Sequence, residues 1–371
     1  QGNLKAISRG DFQMQTGQGL VFGAGFGVGK GAETITTVRR STIGIRPYTA
    51  ALEFGFFRGM AAMYQAGPVN ITLMASNAPR DGNIQIQLDT LETEEEIITS
   101  LQSSGLHRTA TEINYKNRTR EKNLGANVHF QSRKRDLQVG LNSLYTQFGQ
   151  DFQRNRQVYN QYEFFGKENH LHSLYFAYNF QNYFFFGETA VSKSGGKGSV
   201  LGMMSSLHPK LGFSVLWRRF DRDFHSFYGN AFSEGTRPIN EHGVYFGLNY
   251  KPNQKLTLAL YYDYFKFPWL RYRVYAPSSG NEWLIRFTYS PSRKILLFAQ
   301  IREESKARNV SELPNNFQSS YQLSQGKKWN YAFNLDYAID NHWSIKSRIM
   351  ASTFDFNGKK TRGFAISQDI N

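Results

Sequence analysis

Over most of its length the chain alternates apolar and polar positions with a period of two. Phe213, Val215 and Trp217 fall in one phase, and Ser214, Leu216 and Arg218 fall in the other. Successive side chains of a strand point to opposite faces, so each phase is one face of a sheet. The same division separates Leu256, Leu258, Leu260, Tyr262 and Tyr264 from Thr257, Ala259, Tyr261 and Asp263, and Trp283, Ile285, Phe287 and Tyr289 from Glu282, Leu284, Arg286 and Thr288. These stretches run for about 9 to 12 residues, the length with which a tilted strand crosses a bilayer.

Turns divide them unequally. Short Pro-, Asn-, Asp- or Ser-bearing turns fall at 132–136, 180–183, 207–210, 251–255, 290–294 and 339–341, while connections such as 149–169, 221–240 and 305–325 are long and polar with interspersed aromatics. The apolar phase is aliphatic in its middle and aromatic at its ends, where Trp217, Tyr250, Tyr262, Tyr264, Trp283, Tyr289, Tyr337 and Trp343 read as interfacial girdles. Alternation alone also fits a soluble sandwich. The end-placed aromatics, the unequal turns and the sustained strand count favour an all-β protein: one transmembrane antiparallel β-barrel of about 14 to 18 strands, with short periplasmic turns and long extracellular loops, in a bacterial outer membrane.

The first hundred residues are less regular. GQGLVFGAGFG (17–27) and ALEFGFFRGMAAMY (51–64) read as strands, and LETEEEIITSLQSSG (91–105) has a short helical look. Within the single domain 1–371, the segments 1–50 and 77–106 are candidates for a plug, a lid or a docking surface. The final residues, Ile370 and Asn371, lack the terminal aromatic with which barrels often end, so the barrel is expected to be incomplete at this end.

Composition narrows the classes. The chain has 371 residues, no cysteine, and 44 Lys and Arg against 29 Asp and Glu, for a net charge of +15. Thiol, Fe–S and Cys-based zinc chemistry are excluded. The basic excess is scattered rather than collected in an arm; it suits anionic lipid headgroups and lipopolysaccharide, and nucleic acid is not expected as a partner. Other outer-membrane or periplasmic proteins are the further partners expected. No apolar run reaches the length of a membrane helix.

Candidate chemistry lies on the inward phase, where Glu112, Glu188, Arg218, Glu241, Asp263, Arg286, Arg302, Glu304, Asp336, Lys346 and Arg348 line the lumen. Two readings follow: a salt-bridge lattice that stiffens the wall, or a charge-selective constriction. GAGFGVGKGA (23–32) does not complete a phosphate-binding loop, since Ala24 and Gly31 stand where glycine and Ser or Thr are needed. Glu303 and Glu304 are adjacent on a strand, point opposite ways and form no catalytic dyad. His107 lies near Ser103, Ser104 and Glu112 without a nucleophile elbow, and the histidines show no metal-binding spacing. No enzyme and no cofactor are expected. Loop aromatics mixed with Arg and Asn, as in DFHSFYGNAFSEGTRPINE, suit stacking on sugars or bases, loop packing or a protein interface.

Seven segments in order, GDFQMQTGQGL, FFRGMAA, SLQSSGLHRTATE, FFGE, DFHSFYGNAFSEG, NEHGVYFGL and YYDYFKFPWLRYRVYAPSSG, resemble the barrel region of Bacteroidota proteins described as helix-hairpin-helix domain-containing. The resemblance implies an outer-membrane barrel without established catalytic positions. It departs from that family in lacking the helix-hairpin-helix module, and further strands follow GFAISQDIN in the family. A non-enzymatic pore or gated conduit with a charged lumen is the leading expectation. A scaffold subunit of a multi-protein complex is its rival, and a barrel enzyme a distant third.

Overall fold

The computed structural model describes residues 3–23, 29–50, 54–88, 94–102, 105–311, 321–340 and 342–370. The strands, in chain order, are β1 (Leu4–Gln15), β2 (Gly44–Pro47), β3 (Phe57–Ala66), β4 (Val69–Arg80), β5 (Gly82–Leu88) and β6 (Glu94–Leu101). They continue with β7 (Thr119–Gln131), β8 (Leu137–Phe152), β9 (Gly166–Phe180), β10 (Tyr183–Ser192), β11 (Lys197–His208), β12 (Leu211–Phe220) and β13 (Glu241–Asn253). The last are β14 (Leu256–Phe267), β15 (Ser278–Ser292), β16 (Ile295–Ser311), β17 (Tyr321–Ala338), β18 (Ser344–Phe356) and β19 (Lys359–Ile370). A short helix, α1 (Ala110–Tyr115), precedes β7.

The wall is an antiparallel ladder in which β1, β3, β4 and then β7 through β19 follow one another, sixteen of the nineteen strands among the described residues. The other three are accessory. β2 extends the pairing of β1, and the β5–β6 hairpin touches the wall through a two-residue parallel bridge to β8. Among the described residues no ladder joins β19 to β1. No helix among them is long and apolar enough to cross a membrane, which says nothing of crossing by strands.

The outer face is apolar and exposed. Leu73, Leu124, Leu141, Leu174, Leu201, Phe246, Ile285, Ile301, Phe333 and Ile349 all point away from the interior on wall strands between β4 and β18. A water-soluble sandwich would bury this face, so the alternation is that of a transmembrane barrel. Register places the aromatics in two tiers. Trp217, Tyr262, Tyr264 and Trp283 stand toward the long loops, Tyr264 opposite Val244 and Tyr262 opposite Trp283. Tyr250, Tyr289 and Tyr337 stand at the short turns with Trp343, Tyr289 paired with Leu256 and Leu297.

The interior carries its own core. After β1 the chain turns inward, and Leu20, Val21, Phe22 and Val38 become fully buried against Met74, Leu144, Leu171, Phe186, Val200, Leu216, Tyr245, Tyr261 and Leu284 of the wall. Phe224, Ala231 and Phe232, from the connection between β12 and β13, complete this cluster. The described residues 16–23 and 29–43 therefore form a plug in contact with the wall as far as β15.

Three expectations for the N-terminal third change. Residues 17–23 are not a strand: Gly17 and Gly19 take φ of +60° and +80°, which bends the chain into the lumen, and the rest of the expected glycine strand, 24–27, lies outside the described residues. The strand expected from 51 starts at Phe57, after Gly55 at φ +82°, and 51–53 lie outside the described residues. The helical look of 91–105 gives way to strand β6, whose Ile97 and Ile98 are buried by pairing with β5 and β8. The helix forms further on, where Thr109 and Glu112 make a capping box.

Candidate functional site: the plugged lumen

Strands β12 to β15 bring their inward charges into one row. Asp263 lies between Tyr245 and Glu282 in register, and Arg218 stands opposite Gly243. A Cβ on Gly243 would fall 2.5 Å from the Arg218 Cζ, so the missing side chain makes room for the guanidinium. Arg218 donates from Nε to Glu241 Oε1 at 2.6 Å, and from its two terminal nitrogens to Asp263 at 2.7 and 3.1 Å. Arg218, Glu241 and Asp263 are wholly buried. A buried charge is tolerable only when so paired.

The plug enters this row through Lys30. Its ammonium lies 2.8 Å from Asp263 Oδ2 and 3.2 Å from Glu282 Oε2, and also pairs with Glu234 of the β12–β13 connection. Burial works against the charge of Lys30, but Asp263, Glu234 and Glu282 more than offset it and hold its pKa above the ordinary lysine value. Arg302 then bridges Glu282 at 2.9 Å and Glu304 at 3.9 Å, and Lys306 joins Glu304 at 3.2 Å and Glu234. Four cations, Lys30, Arg218, Arg302 and Lys306, thus face five carboxylates, Glu234, Glu241, Asp263, Glu282 and Glu304.

A second anchor holds the start of the plug. Glu188, buried on β10, accepts from the Gln18 and Leu20 backbone nitrogens at 2.6 and 3.1 Å and from Ser173 Oγ at 2.7 Å. The left-handed turn at Gly17 aims these N–H groups at the carboxylate; a Cβ there would meet Glu188 Oε2 at 2.7 Å. The β12–β13 connection clamps the plug from above. Asn230 N donates to Gly19 O at 2.8 Å, Gly23 N to Tyr228 O at 2.9 Å, and Arg40 Nε to Asn230 O at 2.9 Å. Tyr228 itself is fixed by Arg80 at 2.6 Å and by donation to Glu121.

Most of the expected lumen charges lie on the inner face, in different settings. Glu188, Arg218, Glu241, Asp263, Arg302 and Glu304 belong to the anchors just described. Arg286 lies 3.6 Å over the Phe298 ring, with Gln300 at 3.5 Å. Asp336 accepts from Asn334 at 2.8 Å, stands opposite Lys346, and Arg348 donates to Asn334 at 3.2 Å. Glu112 does not line the lumen: its carboxylate caps α1, accepting from the Thr109 and Arg108 backbone nitrogens at 3.2 and 2.7 Å. The T-x-x-E spacing at 109–112 was the signal for this role. His107 pairs with Asp81 at 2.7 Å, while Ser103 and Ser104 lie outside the described residues. Glu303 turns outward to accept from Trp283 Nε1 at 3.0 Å, opposite to Glu304.

Sequence reasoning missed Glu282, Lys30, Glu234 and Lys306. Glu282 shares its phase with Arg286 and was legible there. Lys30 and Glu234 lie in irregular segments with no period to reveal them.

No protein-family model matches the sequence, and no curated protein matches it. Among solved structures, the FpvAI–pyocin S2 complex aligns at a TM-score of 0.46 and 10% identity over 84% of this chain and 50% of that one, so the chain spans about half the length of that relative. The copper transporter OprC aligns at 0.43 and 9% over 82% and 58%, and OpdQ of Pseudomonas aeruginosa at 0.39 and 11% over 85% and 92%. Structural neighbours thus include outer-membrane barrels; likenesses this distant carry no argument about cargo or mechanism.

Proposed function

We propose that this chain is a gated conduit in a bacterial outer membrane, closed in the state described and opened when its plug shifts. The observation that carries the proposal is the plug inside the wall. A wall of this many strands would otherwise enclose an aqueous channel, and here the plug occupies it as far as β15. Besides its apolar packing, the plug is tied to the wall by ion pairs at Lys30 and by backbone donation to Glu188. Of the two readings of the inward charges, the Arg218–Asp263–Lys30 row supports a lock. Arg286, Lys346 and Arg348, outside it, are left to tune passage. The apolar outer belt with its two aromatic tiers supports the membrane location, and the seven ordered sequence segments support a Bacteroidota source.

Single-channel recording in planar bilayers tests this. The intact barrel is expected to stay closed at low voltage, and Lys30→Met, which removes the plug's hold on Asp263, to produce openings. Reversal at Arg286→Glu in that background should move the reversal potential toward cations. A steadily open wild type, or a folded Lys30→Met barrel as silent as the wild type, would sink the proposal.

A scaffold role is the second reading, favoured by loop aromatics left exposed at Tyr272 and Tyr275. Stoichiometric co-purification with another outer-membrane protein, in a barrel that never conducts, would select it.

A further inference from the structure

Three long loops meet at the rim beside the plug and enclose a cleft of about 460 Å³. They are 153–165, 221–240 and 268–277, and they are braced against one another. Trp269 N and Asn240 Nδ2 exchange hydrogen bonds with Asn240 Oδ1 and Trp269 O at 2.8 and 3.0 Å. Trp269 Nε1 donates to Val158 O at 3.2 Å, and His225 Nε2 bonds Tyr162 O at 2.9 Å. The cleft is therefore formed before any ligand arrives, which lowers the ordering cost of binding.

Its lining is unbalanced in charge. Arg154, Arg222, Arg237 and Arg271 face it, with Glu163 as the one carboxylate among the lining residues. Glu163 is already taken by Arg237 at 2.6 Å and Arg154 at 3.7 Å. Arg222 lies 3.9 Å over the Tyr162 ring and 5.3 Å from that of Trp269, and Arg271 lies 3.4 Å over the Phe267 ring. Neither has a carboxylate partner among the described residues. Arg271 Nε is buried without any hydrogen-bond partner, an arrangement that leaves a strong donor unsatisfied. Burial also lowers the Arg271 pKa, Glu241 and Glu234 offsetting this only in part. Beside these cations stand the rings of Tyr159, Tyr162, Trp269 and Tyr272, the last 63% exposed.

We propose that this cleft binds an acidic saccharide, its carboxylate or phosphate taken by Arg222 and Arg271 and its ring stacked on the exposed aromatic face. A guanidinium presents a planar fork to such an oxyanion, and Tyr and Trp offer flat faces to the C–H side of a sugar. A simple inorganic anion would use the arginines and leave the rings idle. Binding needs no opening of the barrel, so it stands apart from the gating proposed above.

Calorimetry on the intact, detergent-solubilised barrel tests this with a hexuronic-acid disaccharide, its methyl ester and a neutral disaccharide. The acid is expected to bind at least about tenfold more tightly than the ester or the neutral sugar, and Arg222→Gln and Arg271→Gln each to weaken it about tenfold. Micelles carrying lipopolysaccharide, captured by the wild type and not by those variants, would identify the membrane's own glycolipid as the source; binding of the soluble acid alone would identify a free saccharide. Equal binding of acid and neutral sugar, binding of inorganic phosphate as tight as that of the acid, or full affinity in the double variant with its heat-modifiable migration intact, would overturn the proposal.

Discussion

The two sides of the lumen share a wall pattern and differ in what covers it. On β12 the inward Ser214, Leu216, Arg218 and Phe220 are completely buried beneath the plug and the β12–β13 connection. On β18 the inward Lys346 and Arg348 are exposed, and every described residue of β19 is exposed on both faces. The outer faces of the two regions are alike, with Trp217 and Phe246 on one and Phe333 and Ile349 on the other, all open to the bilayer. A charged residue of the inward phase therefore has no fixed meaning. Under the plug it is a lock component with every partner assigned; on β18 it meets solvent.

The largest expected effect is on the covered side. Arg218→Met leaves Glu241 and Asp263 buried without their shared cation and should destabilise the barrel by about 3–5 kcal/mol in urea titrations followed by heat-modifiable migration. Next comes Phe22→Ala, which empties the site where the plug packs edge-on to Phe57, with ring centroids 6.3 Å apart. A loss of about 3 kcal/mol is expected by the same assay, the lower end of the range for a buried aromatic. Outside the lock, Arg286→Gln removes only the contact with Phe298 and a long hydrogen bond, and should cost no more than about 1 kcal/mol. If Arg286→Gln proved as damaging as Arg218→Met, the contrast between lock charges and the other inward charges would be lost.

The wall was legible in the sequence because a strand writes its environment in a period of two. Asp263 could be assigned inward and Tyr262 and Tyr264 outward from phase alone. The plug was not legible, because a chain that lies across a lumen meets different neighbours at each residue and carries no period. Lys30 and Glu234 are 204 positions apart, and nothing local at either predicts the other. Glu112 was misplaced for a related reason: strand phase was extended backward over a segment whose T-x-x-E spacing already specified a helix start. The net charge of +15 gave little guidance, since the charges that matter in the lumen are nearly balanced among themselves.

The absence of native cysteine allows the asymmetry of the lumen to be read directly by thiol labelling. Single cysteines would replace Ser214, buried under the plug, and Lys346, exposed on the same inner face, and each barrel would be treated in membranes with a small water-soluble maleimide. The structure predicts rapid labelling of Lys346→Cys and protection of Ser214→Cys until the barrel is denatured. Equal labelling of the two in the folded barrel would contradict a plug that covers the inner face of β12 and not that of β18.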